Sequence, residues 1–454
     1  MKIGLDLDTS VRYVGDPFVD AGVAVLEHRI GKPHTEFTAE DLSLQASWLE
    51  SEYARKIWSG YLTLHFPNSG WCNPTMSADK KAAFRNEALR GFSRPTIGRA
   101  CAYCGRPAQA LANRSQIPLL TSEASMVAGP GGTPGQPVCA RCRYAIQFYP
   151  LATLKVNGKP LFWWSADTGW LFYLTQEFLG TAAQVLAVSG DSLTNVPWPS
   201  TRLLNAAWRV LNRVVEAGQE LSVADVVGCH ATNYGSDADY QEVRLPRDLL
   251  EFWAEARNFR AYSAIVEAHW ETGRKKKAAA KRNDAKIQAP EWTRRNAYYE
   301  DLGGMLRSAA DPKAALALAR RYFVRIGQPV EQGAFALARL FLQRMTEMTR
   351  ERLDAVERIA GRIKDSRRCQ DAVDRLFEAR NVIGALVEIQ ARLLRDCDTP
   401  LGTADIYLAF DIVSDDDATT RDSFFVRDLM LLKILELGAG KIIPTNVEVE
   451  QVAT

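Results

Sequence analysis

Histidine is scarce in this chain, and the short motifs of several common enzyme classes are missing. The 454 residues include only five histidines. None of them has the HExxH spacing of a metalloprotease, and the sequence contains neither a Gly-x-Ser-x-Gly elbow nor a P-loop. A general-base histidine beside a nucleophile or a metal is therefore hard to place. We predict from this that the chain is not an enzyme.

Net charge and long apolar runs are also lacking. The formal net charge is only +2, so any nucleic-acid-binding surface must be local. The most apolar late stretch, 429–438, is short and contains Lys433 and Glu436, which argues against a membrane span. The first ten residues include two acids and no apolar core of a signal peptide. We therefore expect a cytoplasmic protein.

Cysteine is sparse but patterned. Four of the eight cysteines form two CxxC pairs, Cys101/Cys104 in CAYCGRP and Cys139/Cys142 in PVCARCR. Two residues between thiolates allow one turn of backbone to direct both sulfurs at one ion, and two such pairs complete a tetrahedral zinc shell. The alternatives are accidental CxxC turns, two disulfides or a redox pair. Because four thiolates leave no position for water, the pattern predicts a structural zinc ion.

The region around this cysteine module mixes strand and helix signals. Residues 2–8 and 21–27 are apolar or alternating, which predicts two strands. A capping-box pattern begins at Thr38 and predicts a helix that extends to about residue 61. A second helix is predicted over 77–91, and the segment between the two helices reads as a loop.

The middle of the chain contains a hairpin signal followed by helices. Asn157-Gly158 predicts a type I′ turn, and Pro160 suggests that the second strand of the hairpin lies at a sheet edge. Helices are then predicted at about 170–188, 202–217 and 246–270. A later strand-like stretch is IYLAFDIV at 406–413, and a closing helix is predicted at about 422–437.

From about residue 305 onward the sequence predicts a helical bundle. Apolar residues recur at helical spacing in three stripes. Their members are Phe335, Ala338, Leu342 and Met345; Leu353, Val356, Ile359 and Ile363; and Ile383, Leu386, Leu393 and Leu394. The predicted class is α+β: a mixed N-terminal domain with a four-cysteine zinc-knuckle insertion and a C-terminal α-helical bundle. The predicted segments are 1–97, 98–150, 151–304 and 305–454.

Three groups of basic residues are candidates for phosphate contacts. The smallest leads directly into the first zinc knuckle and consists of Arg85, Arg90, Arg94 and Arg99. The other two are larger. The denser one is a basic run made of Arg274, Lys275, Lys276, Lys277, Lys281 and Arg282. It reads either as a phosphate clamp or as a solvated linker. The broader one is segment 313–395, which has 17 Lys or Arg, 15 of them Arg, against 10 Asp or Glu. Such a segment either follows a nucleic-acid backbone or forms i,i+4 ion pairs on a solvated face.

One enzymatic alternative stays open at this stage. Zinc-stabilised His-Asn-His nucleases often contain paired CxxC knuckles, but they need a general-base histidine beside the cysteines. No histidine lies between His65 and His230. A nuclease would therefore have to use His65 with Asn68 and Asn73. A third class is a free-standing zinc-ribbon DNA-binding regulator with a helical oligomerisation tail.

The order of segments resembles a known family. GDPFVDAGVAVLE (15–27), HFPNSGWCNPTMS (65–77), the paired CxxC knuckles and the basic helical tail are similar to the large subunit of a type I CRISPR Cascade complex. The branch that they resemble is DevT-like and related to subtype I-B. The similarity covers essentially the whole chain, and the GDPFVDAG motif together with the cysteine pairs is its most specific part.

The resemblance implies a binding role. Large subunits of this family sit at the 5′ end of the guide RNA, beside the backbone subunit that holds the repeat-derived handle. They read a short flanking motif in double-stranded target DNA and assist R-loop formation, and their helical bundle supports the displaced strand. They also recruit a helicase–nuclease effector or, in transposon-borne systems, a transposition adaptor.

Two further expectations depend on the resemblance. In loop 65–77, Asn68 and Asn73 are candidates for reading base edges, and Trp71 is a candidate wedge or stacking residue. Relatives in subtype I-B often make a separate small subunit by starting translation inside the large-subunit gene. Met305 is the candidate start here, and it would give a chain of residues 305–454.

Overall fold

The structure is a computed structural model. It describes residues 10–119, 135–218, 225–232, 239–271, 290–308, 312–326, 330–392, 402–412 and 423–438. The α-helices in these ranges are α1 (Pro17–Ile30), α2 (Ala39–Tyr53), α3 (Lys56–His65), α4 (Ala78–Arg90), α5 (Ala140–Phe148), α6 (Thr168–Val188), α7 (Pro199–Glu216), α8 (Arg247–Ala256), α9 (Arg260–Ala268), α10 (Ala297–Arg307), α11 (Pro312–Tyr322), α12 (Ala334–Met345), α13 (Arg350–Asp365), α14 (Cys369–Glu378), α15 (Val382–Arg392), α16 (Thr403–Phe410) and α17 (Ser423–Leu437).

The strands form two small antiparallel sheets. They are β1 (Ala110–Ala112), β2 (Gln136–Val138), β3 (Leu154–Val156), β4 (Lys159–Ser165), β5 (Val226–Thr232) and β6 (Asp239–Leu245). β1 pairs with β2, and the other four strands form a sheet in the order β3-β4-β5-β6. The predicted α+β class with a helical C-terminal region is confirmed.

The strand predicted at 21–27 is wrong, because these residues lie in helix α1. Asp16 caps this helix by accepting the backbone N–H groups of Phe18 and Val19, and Pro17 occupies the first turn. Residues 19–26 are buried on every side of the helix. A helix that is buried all round has no polar stripe, so its short apolar run cannot be distinguished from a strand by periodicity. The strand predicted at 2–8 lies outside the described residues.

Local capping signals located the next helices correctly. The Thr38 capping box forms, with Asp41 accepting the Thr38 amide at 2.8 Å. Ser77 caps α4 as its sequence position suggested. The helix predicted to extend from Thr38 to about 61 is interrupted after Tyr53, and a separate helix, α3, begins at Lys56.

The predicted hairpin is confirmed, but the prediction that its second strand lies at a sheet edge is wrong. Asn157 and Gly158 have φ values of 48° and 82°, as a type I′ turn requires. β4 lies inside the sheet, and β3 is the edge strand. Pro160 is accommodated because pairing of β4 with β5 starts one residue later, at Leu161. The sequence prediction missed β5 and β6.

The chain divides into two compact units. Unit 1 comprises 1–247 and 271–307, and unit 2 comprises 248–270 and 308–454. The cysteine module is therefore part of unit 1. The C-terminal division lies close to the predicted one, but α8 and α9 belong with the later helices. Because residues 257–259 separate α8 from α9, the single helix predicted at 246–270 is wrong.

Unit 2 is built around α13. Leu353, Val356, Ile359 and Ile363 are fully buried and face α16 and α17. Phe335, Ala338 and Leu342 of the first stripe are buried as well. In the third stripe Leu386 is buried, whereas residues 393 and 394 lie outside the described part. The strand predicted at 406–413 is wrong, because residues 403–410 form helix α16.

A buried carboxyl group in α1 gives a testable pH dependence. Asp20 accepts the amides of Val14 at 2.7 Å and Gly15 at 3.0 Å, and burial raises the pKa of its side chain to about 6. A carboxyl group with a raised folded-state pKa stabilises the fold as the pH falls. Between about pH 4 and 6 the folded chain binds a proton that the unfolded chain does not.

Relative to Asp20→Asn, we expect the free energy of unfolding of the wild type to increase by about 1.4 kcal/mol when the pH falls from 7 to 5. Urea denaturation of both proteins measures this, and a pH-independent difference would contradict it.

Candidate metal centre

The two CxxC pairs come together in unit 1. The sulfur atoms of Cys101, Cys104, Cys139 and Cys142 all lie within 4.8 Å of one another. Cys104 Sγ and Cys139 Sγ are 3.5 Å apart. A tetrahedral site with bonds of about 2.3 Å places its sulfurs roughly 3.8 Å apart, so the spacing fits one metal ion. Cys101, Cys139 and Cys142 are buried, and Cys104 is half-buried.

The first knuckle, Cys101–Cys104, is a tight turn that Gly105 closes. The amide of Gly105 donates to the Cys101 carbonyl at 3.0 Å, and Gly105 has a φ of 72°. A left-handed residue directly after the second cysteine closes the turn, which explains why glycine follows the CxxC pair. The Cys101 amide in turn donates to the carbonyl of Arg106. These bonds hold both sulfurs on the same side of the turn.

The second knuckle begins a helix. Cys139 is the N-cap of α5, and its Sγ accepts the Cys142 amide at 3.4 Å. The short β1–β2 ladder positions this knuckle beside the first one, with Ala110 paired to Val138. The amide of Ala102 also donates to the Pro137 carbonyl at 3.0 Å. The two knuckles are thus joined by backbone hydrogen bonds as well as by their shared sulfur cluster.

The electrostatics of the cluster favour a bound cation. Hydrogen bonds from Cys139 and Cys142 hold the pKa of Cys101 far below its ordinary value, and the pKa of Cys142 is raised in turn by Cys101 and Cys139. Four crowded sulfurs therefore cannot all become thiolates unless a metal ion balances their charge. Burial adds to this effect, because it disfavours an uncompensated charge.

Three arginines that sequence reasoning missed surround the cluster. Arg12, Arg106 and Arg141 line a small cleft together with Cys104 and Cys142. A set of four thiolates stays anionic with a divalent ion bound, so these cations offset its charge. The signal was present in the runs CGRP and CARC, where an arginine lies within two residues of a ligand. Arg106 also ties the module to the chain start, donating to the Ser10 carbonyl at 3.0 Å.

The helix that carries two of the ligands is fixed from two sides. α5 packs against both α1 and α4. Arg143 of α5 is fully buried, and its guanidinium pairs with the Glu87 carboxylate of α4 at 2.7 Å. A buried guanidinium needs such a partner, because desolvation otherwise destabilises the charge. The position of the cysteines therefore depends on helix packing as well as on the turns.

The structure buries Trp71, places Asn73 in a turn and leaves Asn68 exposed. Trp71 is only 9% exposed, and its indole N–H donates to Gln147 Oε1 at 2.8 Å. Its ring packs edge-on against Tyr53, and this burial argues against a wedge at Trp71. Asn73 closes an Asx turn, accepting the Thr75 amide at 2.9 Å. Asn68 is exposed and has a φ of 61°, a conformation that asparagine tolerates.

The basic residues have different outcomes. The run Arg274, Lys275, Lys276, Lys277, Lys281 and Arg282 lies outside the described residues. In segment 313–395 the structure brings at least seven arginines into ion pairs with carboxylates: Arg339, Arg344, Arg350, Arg352, Arg358, Arg375 and Arg392. This pattern favours the ion-paired alternative for that segment.

All five histidines have structural surroundings. His28, His230 and His269 contact backbone carbonyls through a ring nitrogen, and His34 contacts Glu27. His65 is 1% exposed between Tyr61 and Tyr149, and burial lowers its pKa to about 3. A general base must reach substrate. These placements therefore argue against a nuclease centre built on His65.

Comparisons with known proteins leave the chain without an identified relative. No family model matches it, and no match was found among curated proteins or solved structures. Among the helices that the structure describes, none combines the length and apolarity needed to cross a bilayer.

Proposed function

We propose that this chain is a non-catalytic nucleic-acid-binding protein whose first unit is stabilised by a structural zinc ion. Zinc suits the site because soft thiolate donors in a closed set of four select it. More particularly, we propose that it is the large subunit of an RNA-guided CRISPR Cascade complex. In that role it recognises the motif flanking the target in double-stranded DNA, assists R-loop formation and supports effector recruitment.

The cysteine cluster is the observation that carries this proposal. Its four sulfurs lie within 4.8 Å of one another, which is enough to fill a tetrahedral shell, so an ion bound there would have a structural role and no site for a reacting water. The order of the GDPFVDAG segment, the loop at 65–77, the cysteine pairs and the helical tail supports the Cascade assignment. In such a complex guide–target pairing reads the sequence, so the protein needs only local basic surfaces.

The two alternatives have less support. A nuclease would need an accessible general base, whereas His65 is buried and neutral. A free-standing zinc-ribbon regulator remains the second candidate class, since the same cluster would stabilise it. It would bind a defined duplex as a homo-oligomer without RNA.

Copurification tests the proposal directly. We expect the tagged full chain, expressed with its neighbouring genes, to be recovered with guide RNA, the handle-binding subunit and the backbone subunits. Nuclease treatment before capture should release the guide-dependent partners. Recovery of a homodimer that binds duplex DNA without RNA would favour the regulator. Metal-dependent DNA cleavage by the isolated chain would favour the nuclease and overturn the proposal.

An internal small subunit starting at Met305 is a separate part of the proposal. Met305 lies in α10 of unit 1, and a chain of 305–454 would lack α8 and α9. Phe252 of α8 packs against Phe323 and Phe341 at 5.9 and 5.2 Å between ring centroids, so the shorter chain would expose these rings. Intact mass spectrometry of the complex would reveal such a product, and its absence beside intact full-length protein would exclude it.

A further inference from the structure

One exposed tryptophan has an unusual backbone. Trp198, just before α7, is 38% exposed and has φ 64° and ψ 75°. A bulky residue in the left-handed region is strained, and such strain persists only where the surroundings enforce it. Sequence reasoning missed this residue, and the only signal was the Trp-Pro pair at a helix start.

The chain on both sides of Trp198 enforces this conformation. On one side, the buried Val196 donates its amide to the Lys155 carbonyl at 2.7 Å and so follows the edge of β3. On the other side, the amide of the fully buried Thr201 donates to Glu300 Oε1 at 2.7 Å. The backbone that carries the exposed indole is therefore fixed on both sides.

A cation is placed beside the ring. The guanidinium carbon of Arg295 lies 5.3 Å from the Trp198 ring centroid, and the same guanidinium pairs with the exposed Glu271 carboxylate. The segment that carries Arg295 is fixed by Arg202 of α7, whose guanidinium donates to the carbonyls of Glu291 and Arg294. An aromatic face next to an arginine is the pairing used to bind single-stranded nucleic acid, because bases stack on the ring and the cation attracts phosphate.

The charge of the neighbouring chain points to the same occupant. The Glu271 amide donates to the Arg295 carbonyl at 2.8 Å, and the chain re-enters the described structure at Pro290, next to Glu291. Residues 272–289, which begin and end here, contain seven Lys or Arg and one Asp. A net positive stretch of sequence between Glu271 and Pro290 favours a polyanion over an acidic or neutral small molecule.

We infer that Trp198 and Arg295 form a stacking site for one base of a single-stranded nucleic acid. This inference deepens the proposed function and rests on it. The aromatic ring supplies affinity that depends on bases, and Arg295, for which phosphate competes with the exposed Glu271 carboxylate, supplies affinity that depends on phosphates. The two contributions can be measured separately.

The test uses the full chain and two labelled oligomers of equal phosphate number. One is oligothymidylate of about fifteen nucleotides, and the other is its abasic counterpart. By fluorescence anisotropy we expect the wild type to bind the base-containing strand about tenfold more tightly than the abasic one. Trp198→Leu, which keeps apolar volume and loses the ring, should reduce this ratio to about one. Trp198→Phe should restore most of it, and oligouridylate should reveal any preference for RNA.

A second arginine–tryptophan pair provides the control. Arg29 lies over the Trp48 ring at 3.1 Å, so Trp48→Leu removes the same chemistry elsewhere in unit 1 and should leave the ratio unchanged. Equal binding of both oligomers by the wild type would overturn the stacking site and leave phosphate binding intact. Binding of neither oligomer, free or in the assembled complex, would overturn the proposed function as well. A Trp198→Leu defect seen only with polyglutamate would assign the surface to an acidic protein partner.

Discussion

Cys139→Ser is expected to abolish metal binding and to unfold the cysteine module. The wild type should contain about one zinc ion per chain, and the variant less than half of that. Zinc-finger peptides gain about 10–16 kcal/mol from their ion. Here α5 also packs against α1 and α4, so part of the module's stability does not depend on the ion. We therefore expect the free energy of unfolding to fall by less than in a zinc finger, but by more than about 4 kcal/mol. Elemental analysis and urea denaturation measure the two effects.

The loss should extend beyond the metal itself. Cys139 caps α5, so the substitution removes both a ligand and the anchor of the helix that carries Arg143. Cys101→Ser should behave in the same way. The matched control is Cys229→Ser, which changes a buried thiol of β5 that lies 3.2 Å from the Tyr240 hydroxyl. Zinc content should be unchanged in that variant. A wild type with less than half an equivalent of zinc would rule out the structural role.

Gly22→Ala is expected to have the second largest effect. Gly22 lies where α1 crosses α5, and a Cβ built on it would overlap the backbone carbonyl of Ala145. A backbone atom cannot turn aside as a flexible side chain can, so the two helices would have to separate. Overpacking of this kind destabilises by about 3 kcal/mol. Because Cys139 caps α5 and Cys142 lies in it, we also expect weaker retention of the metal during dialysis against a chelator.

Gly60→Ala provides a control of the same chemistry. Gly60 lies inside α3, and a Cβ there meets no atom within 4 Å. Alanine lowers the backbone entropy of the unfolded chain, so this variant should gain about 0.5–1 kcal/mol. Equal stability of Gly22→Ala and wild type would show that the helices can separate at little cost. It would also contradict the dependence of the metal centre on the α1–α5 crossing.

Local signals in the sequence predicted local geometry well. The Thr38 capping box, the Ser77 cap and the Asn157-Gly158 turn are each decided within a few residues, and the structure contains all three. The two CxxC pairs also predicted the cluster of four sulfurs, because the spacing within each pair is fixed by one turn. Each of these signals acts through hydrogen bonds or bonds to an ion that depend little on the rest of the fold.

Predictions that depended on distant contacts failed. Residues 21–27 form a helix where a strand was expected. This helix, α1, is buried by α5, α6 and the sheet, so its sequence has no polar stripe that would identify it as a helix. Trp71 was expected at a binding surface, but Tyr53 and Gln147 enclose it. A Trp in a loop rich in Asn and Pro has the same local sequence whether it is buried or exposed.

The sequence alone determined the two cysteine knuckles, the helix caps and the turn, because the residues next to one another in the chain decide the energetics of each. Only the tertiary structure decided which aromatic rings face solvent. It buried Trp71 and exposed Trp198, and it brought Arg12 to the sulfur cluster. It also joined α8 and α9 to unit 2. The physical reason is that burial and charge pairing depend on residues that are far apart in the chain. Packing brings these residues together, and neither sequence segment has a pattern that predicts the contact.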